Sequence, residues 1–307
     1  MLVSLALHDA LTRVVSVANG KGGAGKTTTA CNVAGLAALA GWRVLLVDLD
    51  PQGNAGHLLG YTWAGESDGG RHLVDALRRK EPLRPTLEGV RPGLDVVCGG
   101  AELDDLEAVL TGRISKGEET GNVLAWPLAQ VAPDYDLVIM DTPPTRPLLL
   151  RLALSASRWI VVPTRAGRMS IEGLRAMARD VAAAREFNPK LEVLGAVLYD
   201  VETNATVIRR NAVEDVETVL DGAAPVFHTV IRHAQAVAVR GEEQGELAHE
   251  MAEKVDGAEP WWKALREGRR PERLPGSAPA LAEDFVLLTQ EILTRIDEQE
   301  KALEVSA

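Results

Sequence analysis

The sequence predicts an α/β fold, a mostly parallel, twisted β-sheet flanked by helices on both faces, and three observations predict it. Short apolar, β-branched runs alternate with Ala/Leu-rich stretches, the pattern of buried parallel strands joined by right-handed helical crossovers. A glycine-rich segment, G-K-G-G-A-G-K-T-T from Gly20 to Thr28, joins the first such run to the first helical stretch. Two later runs end in aspartates, and the carboxyl ends of strands are where open α/β sheets bind ligands.

Taken in order, residues 1–12 read as an N-terminal arm and residues 13–307 as a single domain, a size at which one core can be buried. Arg13 to Ala18 is the first strand. Thr27 to Ala40, rich in Ala and free of Pro, is the first helix. Between them, Gly20, Gly25, Lys26 and Thr27 fit the spacing of a phosphate-binding loop and make the chain a P-loop NTPase by pattern. The glycines allow backbone N–H groups to converge on a polyphosphate, and the helix N-terminus adds partial positive charge. In this reading Gly22, Gly23, Ala24, Gly25 and Thr28 cradle the phosphates, Lys26 reaches the β- and γ-phosphates, and the Thr27 hydroxyl ligates Mg²⁺.

Arg43 to Val47 is a strand that delivers Asp48 and Asp50 and then turns at P-Q-G-N. Leu94 to Val97 is a further strand, followed by a helix that opens near Ala101 to Leu103. Tyr135 to Met140 delivers Asp141, which is placed to hold the Mg²⁺ shell, before D-T-P-P. Arg158 to Thr164, Val193 to Asp200 and Val226 to Ile231 are the remaining strands, with a helix opening at Ser170. Residues 257–280 differ: Pro, Gly and Arg gather around Trp261 and Trp262, as either a partner- or DNA-contacting element or a pinned connector. A final helix runs from Leu281 to Ile296.

Lys21 departs from the plain loop pattern, and K-G-G-A-G-K-T-T resembles the deviant Walker A loop of the ParA/MinD family, closest to the Soj-like ParA partition ATPases. V-D-x-D-P-Q-G-N and D-T-P-P are similar to that family's two switches and follow the loop in the same order. The likeness extends over residues 13–255, strong at the three motifs and topological elsewhere. It implies an ATP-sandwich homodimer in which Lys21 crosses to the partner's nucleotide, a cation placed on developing phosphate charge. It also implies that Asp50 orients the attacking water and Asp48 supports that network. The base is expected near Tyr199, Asp200, Ile231 and Arg232.

The resemblance implies slow, Mg²⁺-dependent ATP hydrolysis stimulated by a ParB-type centromere-binding protein, non-specific DNA binding, and plasmid or chromosome partition. Related alternatives are an ATPase that positions a protein cargo on the nucleoid or at a pole, and a nucleotide-binding regulatory module of low turnover. DNA contact is expected of Arg209, Arg210, Arg232 and Arg240, although a net charge of −11 repels a polyanion at long range. The tail, Thr294 to Glu304, is too acidic to seek anionic lipid, which disfavours membrane binding. With no basic leader and no long apolar run in these residues, a cytoplasmic, nucleoid-associated protein is expected, and site-specific operator binding through an N-terminal helix-turn-helix is not expected. Cys31 and Cys98 read as reduced thiols and the dispersed histidines as surface or packing residues.

Overall fold

A computed structural model describes residues 7–202, 206–220, 222, 224–268, 270 and 272–306, without the side chains of 168–171, 206–209, 261 and 303–306. Its sheet contains β1 (Val14–Val17), β2 (Val44–Asp48), β3 (Leu87–Arg91), β4 (Leu94–Val97), β5 (Leu137–Asp141), β6 (Trp159–Thr164), β7 (Glu192–Val201) and β8 (Val226–Arg232). The strand order is β3-β4-β2-β5-β1-β6-β7-β8. Every pair is parallel except β3 with β4. Strand β3 was not anticipated: L-E-G-V-R carries little apolar signal, and it forms only as the antiparallel return onto β4.

The central strands β1, β2 and β5 are buried along their whole length, which is why they read as continuous apolar runs. Alternate residues nevertheless serve opposite layers. Val15, Leu46 and Ile139 face one core, and Val14, Leu45 and Val138 face the other. The first layer holds α1 (Lys26–Leu39), α2 (Asn54–Leu58), α9 (Gln235–Gln244), α10 (Ala248–Asp256) and α12 (Ala278–Ser306). The opposite layer holds α3 (Arg71–Arg79), α4 (Glu102–Ser115), α5 (Ala125–Ala129) and α6 (Pro147–Ser155), continued under β6 and β7 by α7 (Arg168–Ala184) and α8 (Thr206–Leu220). Cys31 and Cys98 are free and buried.

The last helix is longer than its expected span, and several of its carboxylates have partners on the sheet. Strand β8 lies at the sheet edge, where unpaired N–H groups would be a liability. Glu291 on α12 accepts the backbone N–H groups of His228 (2.9 Å) and Thr229 (3.1 Å), and Asp284 accepts that of Arg232 (3.0 Å). Nearer the tail, Glu300 binds the Arg13 guanidinium through two contacts of 3.0 and 2.7 Å. These carboxylates thus dock the helix on the sheet.

Residues 7–12 are packed against the domain: Leu11 is buried, and the Trp159 indole N–H donates to the Thr12 carbonyl (2.9 Å). Residues 1–6 of the expected arm lie outside the described residues. Within 257–280, α11 (Trp261–Arg266) leaves Trp262 and Leu265 half-exposed, and Glu272 anchors the segment to α9 through Arg240 (2.7 Å). The Trp261 side chain, Arg269 and Pro271 lie outside the description.

Candidate functional site

The three motifs converge because β2, β5 and β1 are neighbours whose carboxyl ends point the same way. Asp141 is in register with Val17 on β1 and with Asp48 on β2. The loop after β1 therefore opens beside both aspartate-bearing tips. Asn19, which the motif reading passed over, fixes that loop at its root: its amide donates to the Pro163 carbonyl (2.7 Å), and its side-chain oxygen accepts the Lys21 N–H (3.0 Å).

Gly25 ends the loop and caps α1 with φ 85°. A Cβ there would lie 2.5 Å from ring atoms of Tyr199, so the position excludes a side chain on both conformational and steric grounds. Gly25→Ala is expected to cost about 1–3 kcal/mol from the backbone alone. Thermal unfolding of the variant, which should fall below wild type even without nucleotide, checks this. Tyr199 is thus a support beneath the loop.

The charges are packed with few internal partners. Lys26 is nearly buried and its Nζ donates to the Lys21 carbonyl (3.1 Å). Burial pushes its pKa down, while Asp141 and Asp50 pull it up. Asp141 is fully buried and neither carboxylate oxygen has a hydrogen-bond partner. Burial raises its pKa to about 7, the approaching Thr27 hydroxyl and Lys26 lowering it and Asp50 raising it. Asp48 is also fully buried; desolvation first, then Asp141, hold its pKa well above the usual carboxylate range. One Asp48 oxygen accepts the Asp50 N–H (2.8 Å) and the other has no partner. Asp50 in turn accepts the Gln52 N–H (3.0 Å), which shapes the turn out of β2.

Among the described residues, no group of three or more His, Cys, Asp or Glu could by itself hold a metal ion, but the orphaned, buried oxygens of Asp141 with the Thr27 hydroxyl beside them suit a hard divalent cation that brings further oxygen ligands of its own. Mg²⁺ fits this donor set. The cleft above it has a volume of about 560 Å³. Its wall contains Gly23, Ala24, Gly25, Lys26, Thr27 and Thr28, together with Asp50 and Pro144. Lys21 and Gly22 are not part of that wall. Lys21 instead lies half-buried beside Gly173 on α7, its Cβ 3.9 Å from where a Cβ at Gly173 would stand. His57, Trp63, Glu242 and Glu243, which no motif marked, also line the cleft.

The expected DNA contacts fare differently. Arg232 is ion-paired: its guanidinium grips Asp284 through two contacts of 2.6 Å. Arg240 is ion-paired as well, bridging Glu246 (3.0 Å) and Glu272 (2.7 Å). Arg210 is exposed on α8, 3.9 Å from Glu214, and the Arg209 side chain lies outside the described residues. Near the expected base position, Asp200 sits at φ 63° and pairs with Arg165 (2.6 Å) and His233 (2.5 Å). That hydrogen bond raises the His233 pKa. Among the described residues, no helix is long and apolar enough to cross a membrane.

Comparison with known proteins adds four likenesses. An AAA domain family model matches residues 12–193. The chromosome partitioning protein ParA of Caulobacter vibrioides is 35% identical over 192 residues, 61% of this chain and 70% of that protein. Cobyrinic acid a,c-diamide synthase from Mycobacterium smegmatis, solved with a bound ATP analog and magnesium, superposes with a TM-score of 0.60 at 26% identity, covering 84% of this chain and 98% of its own. Apo McdA from Cyanothece shares the fold, with a TM-score of 0.70 at 20% identity over 92% of this chain and 99% of its own.

Proposed function

This chain belongs to the ParA/MinD family of P-loop ATPases, and from that premise we propose that it is a ParA-type ATPase that pairs around ATP, binds DNA non-specifically and is reset by hydrolysis. The observation that carries the reading is the gathering of Lys26, Asp48, Asp50 and Asp141 at three adjacent strand tips, with Lys21 outside its own cleft. A lysine placed so leaves its ammonium available to a second copy.

The residues divide the work as follows. Backbone N–H groups from Gly22 to Thr28 and the Lys26 ammonium bind the triphosphate. Thr27 and Asp141 hold Mg²⁺, which when bound neutralises phosphate charge. Asp50 orients the attacking water, and Asp48, through its hydrogen bond to the Asp50 N–H, fixes where that carboxylate starts. Lys21 completes the neighbouring protomer's pocket, so that turnover depends on assembly. The proposed task is plasmid or chromosome partition, with a ParB-type partner that stimulates slow hydrolysis in a cytoplasmic, nucleoid-associated setting.

DNA retention tests the output. ATP-loaded protein should be held on non-specific duplex and released steeply with added salt, because phosphate contacts displace condensed counterions. Arg210→Ala should reduce the slope of log affinity against log salt by about one per protomer. The net charge of −11 and the neutralised Arg232 and Arg240 favour a second reading, the positioning of a protein cargo. Absence of ATP-dependent retention even at low ionic strength would select it.

A further inference from the structure

Between Trp261 and Pro275 the sequence carries Lys263, Arg266, Arg269, Arg270 and Arg273 against Glu267 and Glu272, a local excess of positive charge in a chain whose net charge is −11. The segment lies outside all three motifs. Its helix, α11, is seated through the buried Ala264 and leaves Trp262 and Leu265 49% and 54% exposed. Residues three apart are neighbours on a helix surface, so these two side chains make one apolar spot. Arg266, Arg270 and Arg273 are exposed, and among the described residues none of them has an ion-pair partner. They differ in this from Arg232 and Arg240, whose guanidiniums hold carboxylates of the fold.

The segment is also fixed in place, because Glu272 is held by Arg240 on α9. Between α9 and Arg273 lies a groove of about 640 Å³, with the half-exposed Val239 on its wall and Glu243 as its one carboxylate. An exposed tryptophan beside unpaired guanidiniums is the composition of a binding hot spot, in which the ring supplies buried area and the arginines orient an anion. Two features select the partner. The arginines call for an acidic ligand. The Trp262–Leu265 spot calls for apolar side chains, which a phosphate backbone does not offer, and Glu267 and Glu272 interrupt the basic run that would suit a uniform polyanion. We propose that the exposed surface formed by Trp262, Leu265, Arg266, Arg270 and Arg273 is a docking site for an acidic segment of a partner protein, with aromatic or aliphatic side chains set among its carboxylates. The nucleotide reading above is not a premise of this proposal.

Fluorescence anisotropy of the full chain without nucleotide tests it with a labelled, Glu-rich synthetic peptide that carries two phenylalanines. The comparators, at equal ionic strength, are a Glu-only peptide of the same charge, a random-sequence DNA duplex and vesicles containing phosphatidylglycerol. The Phe-bearing peptide should bind about tenfold more tightly than the Glu-only peptide, the size of a modest hot spot, and Trp262→Ala and Leu265→Ala should each shrink that difference. Replacing Arg266, Arg270 and Arg273 together by Gln should weaken both peptides and flatten their salt dependence. All five side chains point into solvent, so the variants should melt at the wild-type temperature. A Phe-bearing peptide that fails to bind, binds no better than the Glu-only peptide, or binds both apolar variants undiminished would overturn the proposal. Tighter binding of the duplex or the vesicles, lost in Trp262→Ala, would overturn it in favour of nucleic acid or lipid. Salt-labile self-association of the protein alone, abolished by Trp262→Ala, would give the surface to a second copy instead.

Discussion

Asp50→Ala is expected to leave ATP-dependent pairing intact and to slow phosphate release by about 10²–10⁴-fold, the usual contribution of a positioned base or water-orienting group. The asymmetry follows from charge. Asp50 lines the cleft and lies close enough to raise the pKa of both Asp141 and Lys26. It therefore adds negative potential where a triphosphate must sit. Removing it relieves repulsion on the ligand and lets Asp141 ionise more readily, so binding and closure should survive or strengthen. What is lost is a carboxylate whose approach to the cleft is set by the bond from Asp48 to the Asp50 N–H and by its own bond to Gln52. Phosphate release and ATP-dependent size-exclusion profiles measured on one preparation test both halves. A variant that hydrolyses at the wild-type rate would remove Asp50 from its role; one that no longer pairs with ATP would make the residue part of the assembly contact.

The parts of this site that were legible in the sequence share one property: they are local. A strand that ends in a glycine loop and a helix, or in an aspartate and a proline turn, declares itself within about a dozen residues, because backbone geometry and side-chain chemistry are fixed together there. The parts that were not legible depend on partners distant in sequence. Arg232 and Arg240 look like free cations until α12 and the segment before it bring Asp284 and Glu272 to them, 52 and 32 residues away. Trp63 acquires its place from Glu242 across 179 residues. The acidic residues of the last helix find partners only in the fold, Glu291 on the edge of β8 and Glu300 on Arg13. Tyr199, at the expected base position, supports Gly25 because the ends of β7 and β1 lie on either side of β6, an adjacency that only the strand order reveals. Asn19 is the exception: it lies inside the strand-to-loop junction, and its short polar side chain next to a glycine was a usable signal for a loop anchor.

Lys21→Ala alone should lower ATP turnover by about 10³–10⁵-fold if the lysine acts as a finger supplied by the opposite protomer. A single variant does not tell trans from cis action, because either geometry loses the ammonium. Mixing does. In a dimer of one Lys21→Ala and one Asp50→Ala protomer, the nucleotide on the first keeps its own Asp50 and receives Lys21 from its neighbour, so that site is whole. The other site lacks both groups. Random pairing of equal amounts makes half the dimers mixed, each with one of two sites working, so the mixture should recover about a quarter of wild-type turnover although each variant alone is nearly inactive. With a lysine acting in cis, the first site lacks its lysine and the second its aspartate, and the mixture should stay as inactive as its components. The position of Lys21 beside α7, away from the wall of its own cleft, favours the first outcome. A titration of one variant into the other, with turnover peaking at equal amounts, would establish that each protomer completes its neighbour's pocket, whereas a flat, inactive titration would assign Lys21 to its own protomer's loop and leave assembly without a catalytic role.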